Sequence, residues 1–300
     1  MIKRFTSLIL TLLITAPLTL PAQPLPSDEQ LAQLLVSPGR TPAETAVSVG
    51  KNLLGAPYVA HTLDQSATEQ LVVNLQAFDC TTYLETILAL ALTWHETADK
   101  ATAGRPATPA GLAQPFRSYL TRLRYRDGRI DGYASRLHYF SAWLRDNERK
   151  GLLTDITGTL PGRMTVTKPV TYMTSAVHKY PHLADPTVFR QVAQTEASLA
   201  TQPFAFVPAR QVRQAEAALR EGDIIMLTAA RPGLDMKHVG LAVRQPDGRM
   251  HLLHASSDAG QVVISTLPLS DYVLAHPRLS GIRVARLRGS GLLTADGSPR

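Results

Sequence analysis

The chain has 300 residues, 31 Lys plus Arg against 24 Asp plus Glu, an ordinary apolar fraction and a single cysteine. That length is enough for one large domain or for a core with a sizeable insertion, and nothing in it is repeated or low in complexity. A lone thiol excludes an intrachain disulfide framework, and without a second thiol or a His-Glu-x-x-His run the sequence gives no grounds for a zinc enzyme.

At the start, Lys3 and Arg4 precede an apolar stretch from Leu8 to Leu13, and Pro21-Ala22-Gln23-Pro24 follows. A charged segment, a short apolar one and a small-residue exit read as a signal peptide over 1–22, cleaved after Ala22. A membrane span would need about 20 apolar residues. The expectation is an exported, periplasmic protein of about 280 residues with no stable membrane insertion after cleavage, carrying 29 basic and 24 acidic residues.

Thr41-Pro42-Ala43-Glu44 is a capping box with proline at the first helical position, and Gly55 can close that helix. Leu71 to Leu75 reads as a short strand. From Cys80 to about Thr97 the chain is apolar nearly all round, the pattern of a buried helix. A loop is expected over 98–111, then helical pattern to about Gly151. Residues 117–150 hold nine basic against four acidic side chains, either a solvated helix face or a cationic wall for an anionic polymer. Outside the cytoplasm that polymer is cell wall rather than nucleic acid. Irregular chain is expected over 151–185, and helices near 186–199 and 209–219.

Beyond the turn at Glu221-Gly222-Asp223 the pattern becomes strands, at 224–228, 238–243, 250–254, 262–266 and 282–287. A buried helix ahead of an antiparallel meander predicts an α+β domain. The division expected is a 23–96 segment ending in the cysteine helix, a mostly helical insertion over 97–220 lining the cleft, a sheet over 221–288, and a flexible tail over 289–300.

Asp79 stands where it can cap the helix that Cys80 begins, and the helix N-terminus there favours a thiolate and offers amides to an oxyanion. A thiol nucleophile needs a base that also protonates the leaving amine, commonly histidine. His238 opens a strand after a polar loop, and His254 ends the next strand, where it can bond the far nitrogen of His238. His251 competes for that third position. It lies an odd number of residues from His254, so on one strand the two point to opposite faces.

Five ordered blocks carry a resemblance: Gly55-Ala56-Pro57-Tyr58, Phe78-Asp79-Cys80, Gly222-Asp223-Ile224-Ile225, His238-Val239-Gly240-Leu241 and Leu253-His254-Ala255-Ser256. They resemble the NlpC-type cell-wall cysteine peptidases, papain-like in fold. Asn74-Leu75, Thr81-Thr82-Tyr83, Glu85, Arg136-Leu137-His138-Tyr139 and His251 to Ser257 bring the chain closer to the N-acetylmuramoyl-L-alanine amidase-like subfamily. The resemblance implies Cys80 as nucleophile, His238 as base and acid, His254 as orienter, Tyr58 beside the nucleophile and Asp79 as receiver of a free L-alanine amine. It implies a peptidoglycan or muropeptide substrate and no cofactor or metal.

Two departures stand out. Thr81 follows the cysteine where many NlpC peptidases have serine, and about 140 residues separate Cys80 from the strand at Ile224. In that insertion Arg136 is placed to pair with a stem carboxylate and His138 or Tyr139 to touch sugar or peptide, beside the alternative that all three are structural. The reaction implied is hydrolysis of the lactyl amide between N-acetylmuramic acid and L-alanine. The alternatives are the γ-D-glutamyl bond to the diamino acid, a non-catalytic wall-binding protein, and a thiol acyltransferase.

Overall fold

The computed structural model describes residues 25–102 and 111–288. The signal peptide expected over 1–22 and the tail over 289–300 lie outside them. Two short helices, α1 (Asp28–Leu34) and α2 (Pro42–Asn52), lead to the long α3 (Cys80–Thr102). Then come α4 (Ala113–Arg124), α5 (Phe140–Arg149), β1 (Leu153–Asp155), β2 (Met164–Thr167), α6 (Pro186–Ala200), β3 (Pro203–Pro208) and α7 (Val212–Ala215). The chain closes with β4 (Ile224–Ala229), β5 (Met236–Arg244), β6 (Met250–Ser256), β7 (Gln261–Ile264), α8 (Leu269–Ala275) and β8 (Leu279–Leu287). Among the described residues no helix is long and apolar enough to cross a membrane.

The strands form one antiparallel sheet in the order β2-β3-β8-β4-β5-β6-β7, with β1 added against β8. This is an α+β arrangement, as the sequence predicts. Alternation along the strands divides the interior into two cores. Ile224, Met226, Val239, Leu241 and Leu253 face α3, whereas Ile225, Leu227, Ala242, Leu252 and Val284 face α7 and α8. With both faces covered, β4 is buried along its whole length, which is why its sequence reads as a continuous apolar run. The apolar surround of α3 has the same cause: α2, α4 and the strands β5 and β6 enclose Leu84, Ile87, Leu88 and Leu90 completely.

Several expectations are corrected. Residues 71–75 form no strand: Arg124 Nη1 takes the Val72 carbonyl at 2.6 Å, and just ahead of the segment the Tyr125 hydroxyl takes the Gln70 carbonyl at 3.0 Å. Helix α3 runs on to Thr102, into the expected loop. The helix expected over 209–219 shrinks to the four residues of α7 between two 3-10 turns. The 97–220 region is less helical than expected, since it supplies β1, β2 and β3 to the sheet. Helix α8 is also new, its seven residues anchored by buried Leu269 and Val273.

At α2, Thr41 accepts from the Glu44 amide at 3.2 Å, while Glu44 turns to the Arg40 amide, so only half of the capping box forms. Part of the basic stretch is tied down internally. Arg124 Nε bonds Glu85 Oε2 at 2.7 Å, Arg136 pairs with Asp64 and Glu69, and Arg149 and Lys150 share Asp146. Glu85 also accepts from the Trp143 indole at 3.2 Å, so one buried carboxylate ties α3 to α4 and α5. Removing one partner leaves a charge buried without compensation. Arg124→Met is expected to lower unfolding stability by about 3–5 kcal/mol in urea titrations, and adding Glu85→Gln to recover much of it.

Candidate active site

Helix α3 begins at Cys80 because Asp79 caps it: Asp79 Oδ1 accepts from the Thr82 amide at 2.7 Å, and Thr82 Oγ1 accepts from the Asp79 amide at 3.0 Å. The thiol therefore sits in the first turn, partly exposed, at a cavity of about 200 Å³. Tyr58, Lys237, His238, Ser257, Asp258, Tyr272, His276 and Arg278 share the lining. Tyr58 reaches it through backbone pairing, its amide donating to the Gly260 carbonyl at 2.8 Å and the Val59 amide to the Phe78 carbonyl at 2.9 Å. The Gly55 to Tyr58 turn is thus held between the cysteine helix and β7.

His238 lies on β5 beside a bulge. Leu227 pairs with His238 but Thr228 pairs with Met236, so Lys237 is the extra residue. Such a bulge re-aims its neighbours, and here it sits at the cavity. Strand β6 runs antiparallel to β5 and brings His254 alongside, with His238 Nε2 and His254 Nδ1 2.6 Å apart and the rings nearly perpendicular at 83°. His251 points away, its Nδ1 on the Ser265 carbonyl at 2.7 Å and its Nε2 on Asp247 at 3.0 Å. The parity argument is met.

Gly240 makes this pairing close enough. A Cβ at that position would stand 2.7 Å from the Leu253 carbonyl oxygen and 2.9 Å from the His254 Cβ. Gly240→Ala is expected to push the two histidines apart, costing about 1–3 kcal/mol of stability and lowering kcat more than it raises KM. Steady-state kinetics beside a urea titration measures both.

Burial sets the protonation states. It pushes the Cys80 thiol up to about 12, with the Asp79 carboxylate adding to the effect, while the Thr81 hydroxyl and the Val239 and Cys80 amides oppose it weakly. Desolvation and the neighbouring Asp79 carboxylate therefore work against the thiolate that a helix N-terminus favours. Burial likewise pushes His238 well below its ordinary value, reinforced by His254 and Lys237, and His254 down to about 4. The resting pair is a neutral thiol and a neutral imidazole. Burial also lifts the Tyr58 hydroxyl to about 12, with Cys80, Asp79 and Asp258 adding to it, which keeps it a donor.

The depressed histidines link stability to pH. His138 is held neutral by burial and by Arg136, down to about 3. In the unfolded chain both it and His254 bind a proton near pH 6.5, so stability is intact above that value and falls as pH drops through it towards 4 and then 3. The loss is on the order of 3 kcal/mol for His254 alone by pH 4. The drop in urea midpoint between pH 7 and pH 4 is expected to shrink in His138→Gln, which keeps a donor for the Tyr133 carbonyl.

The family model described as AmiA-like, N-acetylmuramoyl-L-alanine amidase-like, matches residues 48–282. The chain belongs to the AmiA-like family. This is an amidase-like family of cell-wall hydrolases. Crystal structures of an N-acetylmuramoyl-L-alanine amidase from Bacteroides uniformis are 35% identical, cover 82% of this chain and 99% of their own, and superpose with TM-scores of 0.72 and 0.73. A Bacteroides fragilis protein named as a candidate xylanase is also 35% identical over 79% of this chain and 99% of its own, with a TM-score of 0.68. A Legionella pneumophila protein, 20% identical over 87% and 92% with a TM-score of 0.61, shares the fold. No curated protein matches.

Within this AmiA-like chain the structure gathers Tyr58, Cys80 and His238 around one cavity and sets His254 behind His238. It does not gather the other candidates. Asp79 does not line the cavity, and its carboxylate is taken by the helix cap. Among the described residues, Arg136, His138, Tyr139 and the rest of the 97–220 region do not border the thiol's cavity. Arg136 is buried against Asp64 at 2.5 Å, His138 bonds the Tyr133 carbonyl at 2.9 Å and stacks on that ring, and the Tyr139 hydroxyl donates to Glu196 at 2.5 Å. The backbone explains this, because Arg136 pairs with Tyr125 in an antiparallel bridge that turns the run into the interior. By gripping Asp64 and Glu69, Arg136 instead braces the segment joining Tyr58 to Cys80.

Sequence reasoning missed Lys237, Asp258, Tyr272, His276 and Arg278. Tyr272 and His276 come from α8, whose ring packing runs from His254 to Tyr272 at 5.6 Å and on to His276 at 4.1 Å. The only advance signal was their i,i+4 spacing in a stretch too short to read as a helix.

Proposed function

We propose that the protein is an exported, cysteine-dependent N-acetylmuramoyl-L-alanine amidase with a papain-like core, in which residues 97–220 brace the core rather than wall the cleft. One observation carries this reading: the chain's only thiol, at a helix N-terminus, shares a cavity with an imidazole that a second imidazole holds at 2.6 Å, in a family named for that amide. The order of cysteine helix first and histidine strands later supports the papain-like assignment. The Lys3-Arg4 start and the apolar run behind it support export.

In the mechanism, the Cys80 proton passes to His238 Nδ1 as Sγ attacks the lactyl carbonyl, because both groups rest neutral. The Cys80 amide, in the first turn of α3 beside the thiol, holds the developing oxyanion. His254 Nδ1 accepts from His238 Nε2, fixing the ring and carrying part of the imidazolium charge. His238 then gives its proton to the nitrogen of L-alanine, the C–N bond breaks, and a thioester remains. Water attacks the thioester with His238 as base, releasing the lactyl carboxylate and restoring the thiol.

The γ-D-glutamyl endopeptidase reading rests on Asp79 receiving a free L-alanine amine; Asp79 Oδ1 serves the helix cap and the residue does not line the thiol's cavity, which favours the amidase reading. Digestion of purified muropeptides, with mass spectrometry of the products, tests the proposal. Free disaccharide beside an intact stem peptide is the expected result. A released L-Ala-D-Glu or its sugar-linked form makes the protein an endopeptidase. Acyl transfer to an added amine makes it a transferase, and binding without any product makes it a wall-binding module.

A further inference from the structure

The thiol's cavity carries more positive charge than the reaction uses. Lys237 and Arg278 both line it, and neither has an ion-pair or side-chain hydrogen-bond partner among the described residues. The single carboxylate in the lining, Asp258, faces His276 at 3.9 Å and accepts from Ser257 at 3.3 Å. Other cations nearby in sequence are paired: Arg283 holds Asp155 at 2.7 Å and Arg286 holds Asp223 at 2.7 Å. Two unpartnered cations therefore border the cavity that holds the thiol and His238.

The chemistry of the scissile bond says which side they serve. On the acyl side, the only carboxyl of N-acetylmuramic acid is the one locked in the lactyl amide. On the amine side, the stem continues through L-alanine to a D-glutamyl residue bonded through its γ-carboxyl, which leaves its α-carboxylate free two residues from the cut. Lys237 is the bulge residue next to His238, the group that protonates the leaving nitrogen in the proposed reaction, and it lines the same cavity. Arg278 lies two residues beyond His276 on the same rim.

We propose that Lys237 and Arg278 form a subsite for the free α-carboxylate of the stem's D-glutamyl residue, so that the enzyme selects acidic over amidated stems. The inference rests on the amidase reading. A guanidinium and an ammonium on exposed side chains give attraction that is modest and sensitive to salt. They also need no folding contact to be lost when neutralised.

The test compares two muropeptides that differ only at this group, one with D-glutamate and one with D-isoglutamine in the stem. Wild-type kcat/KM is expected to favour the acid by about tenfold at low salt, and by much less in 0.5 M sodium chloride. Arg278→Gln is expected to cut that preference by about threefold, and Lys237→Gln with Arg278→Gln to abolish it, read as the ratio of kcat/KM on the two substrates within each variant, so that any effect on His238 common to both cancels. Arg278→Lys, which keeps the charge, retains most of the preference. Equal wild-type rates on the two substrates, or a preference that survives the double substitution, overturn this proposal alone. Cleavage of neither substrate overturns the amidase reading, and this proposal with it.

Discussion

Cys80→Ala protein is expected to release disaccharide from muropeptides at least about 10⁴-fold more slowly than wild type while keeping its fold and thermal midpoint. The size of the effect follows from the role. Without the thiol there is no thioester, and water would have to attack the lactyl amide directly with only the oxyanion donor and His238 to help. The fold should tolerate the change because Asp79, not the thiol, starts α3: its carboxylate and the Thr82 hydroxyl form the cap with no help from Cys80. Product quantified by liquid chromatography after long incubation checks the prediction, with circular dichroism confirming the fold. Activity within tenfold of wild type would remove the thiol from the reaction.

The second large effect belongs to the imidazole pair. His238→Gln is expected to lower kcat by about 10³-fold, since it removes both the base and the acid, whereas His254→Asn, which keeps an acceptor near His238 Nε2, should cost only about 10- to 100-fold. The pH profile separates this neutral pair from a preformed thiolate and imidazolium. With the thiol pushed up to about 12 and His238 pushed well below its usual range, kcat/KM should be level from about pH 6 to about pH 9 and fall only on the acid side, as His238 gains its proton. An alkaline limb near pH 8.5 would mean that an imidazolium is being lost, the signature of an ion pair. Because the two groups titrate together, the limb belongs to the pair rather than to either residue.

The family blocks were legible in the sequence because each is local. A helix cap needs only Asp79 and the three residues after it, and an antiparallel strand reveals its parity by alternation, so counting set His251 and His254 on opposite faces and the family block favoured His254. Misreadings fell where a distant partner decides. Arg136 looked available for substrate because nothing near it in sequence is acidic enough to hold it, yet Asp64 and Glu69 arrive from some seventy residues away. Leu71 to Leu75 has the pattern of a strand, but Arg124 takes its Val72 carbonyl and Tyr125 the Gln70 carbonyl just ahead of it.

The sequence by itself determined an α+β fold and pointed to the constellation proposed here, Cys80 with His238 and His254, since caps, alternation and a lone thiol are properties of short stretches. Only the tertiary structure decided the state of the thiol and the charge of its cavity. Both depend on desolvation and on which side chains meet: α3 is buried against β5 and β6, which keeps Cys80 protonated, and α8 and the β5 bulge bring His276, Arg278 and Lys237 to the rim. No periodicity in the chain encodes a meeting between residues that far apart.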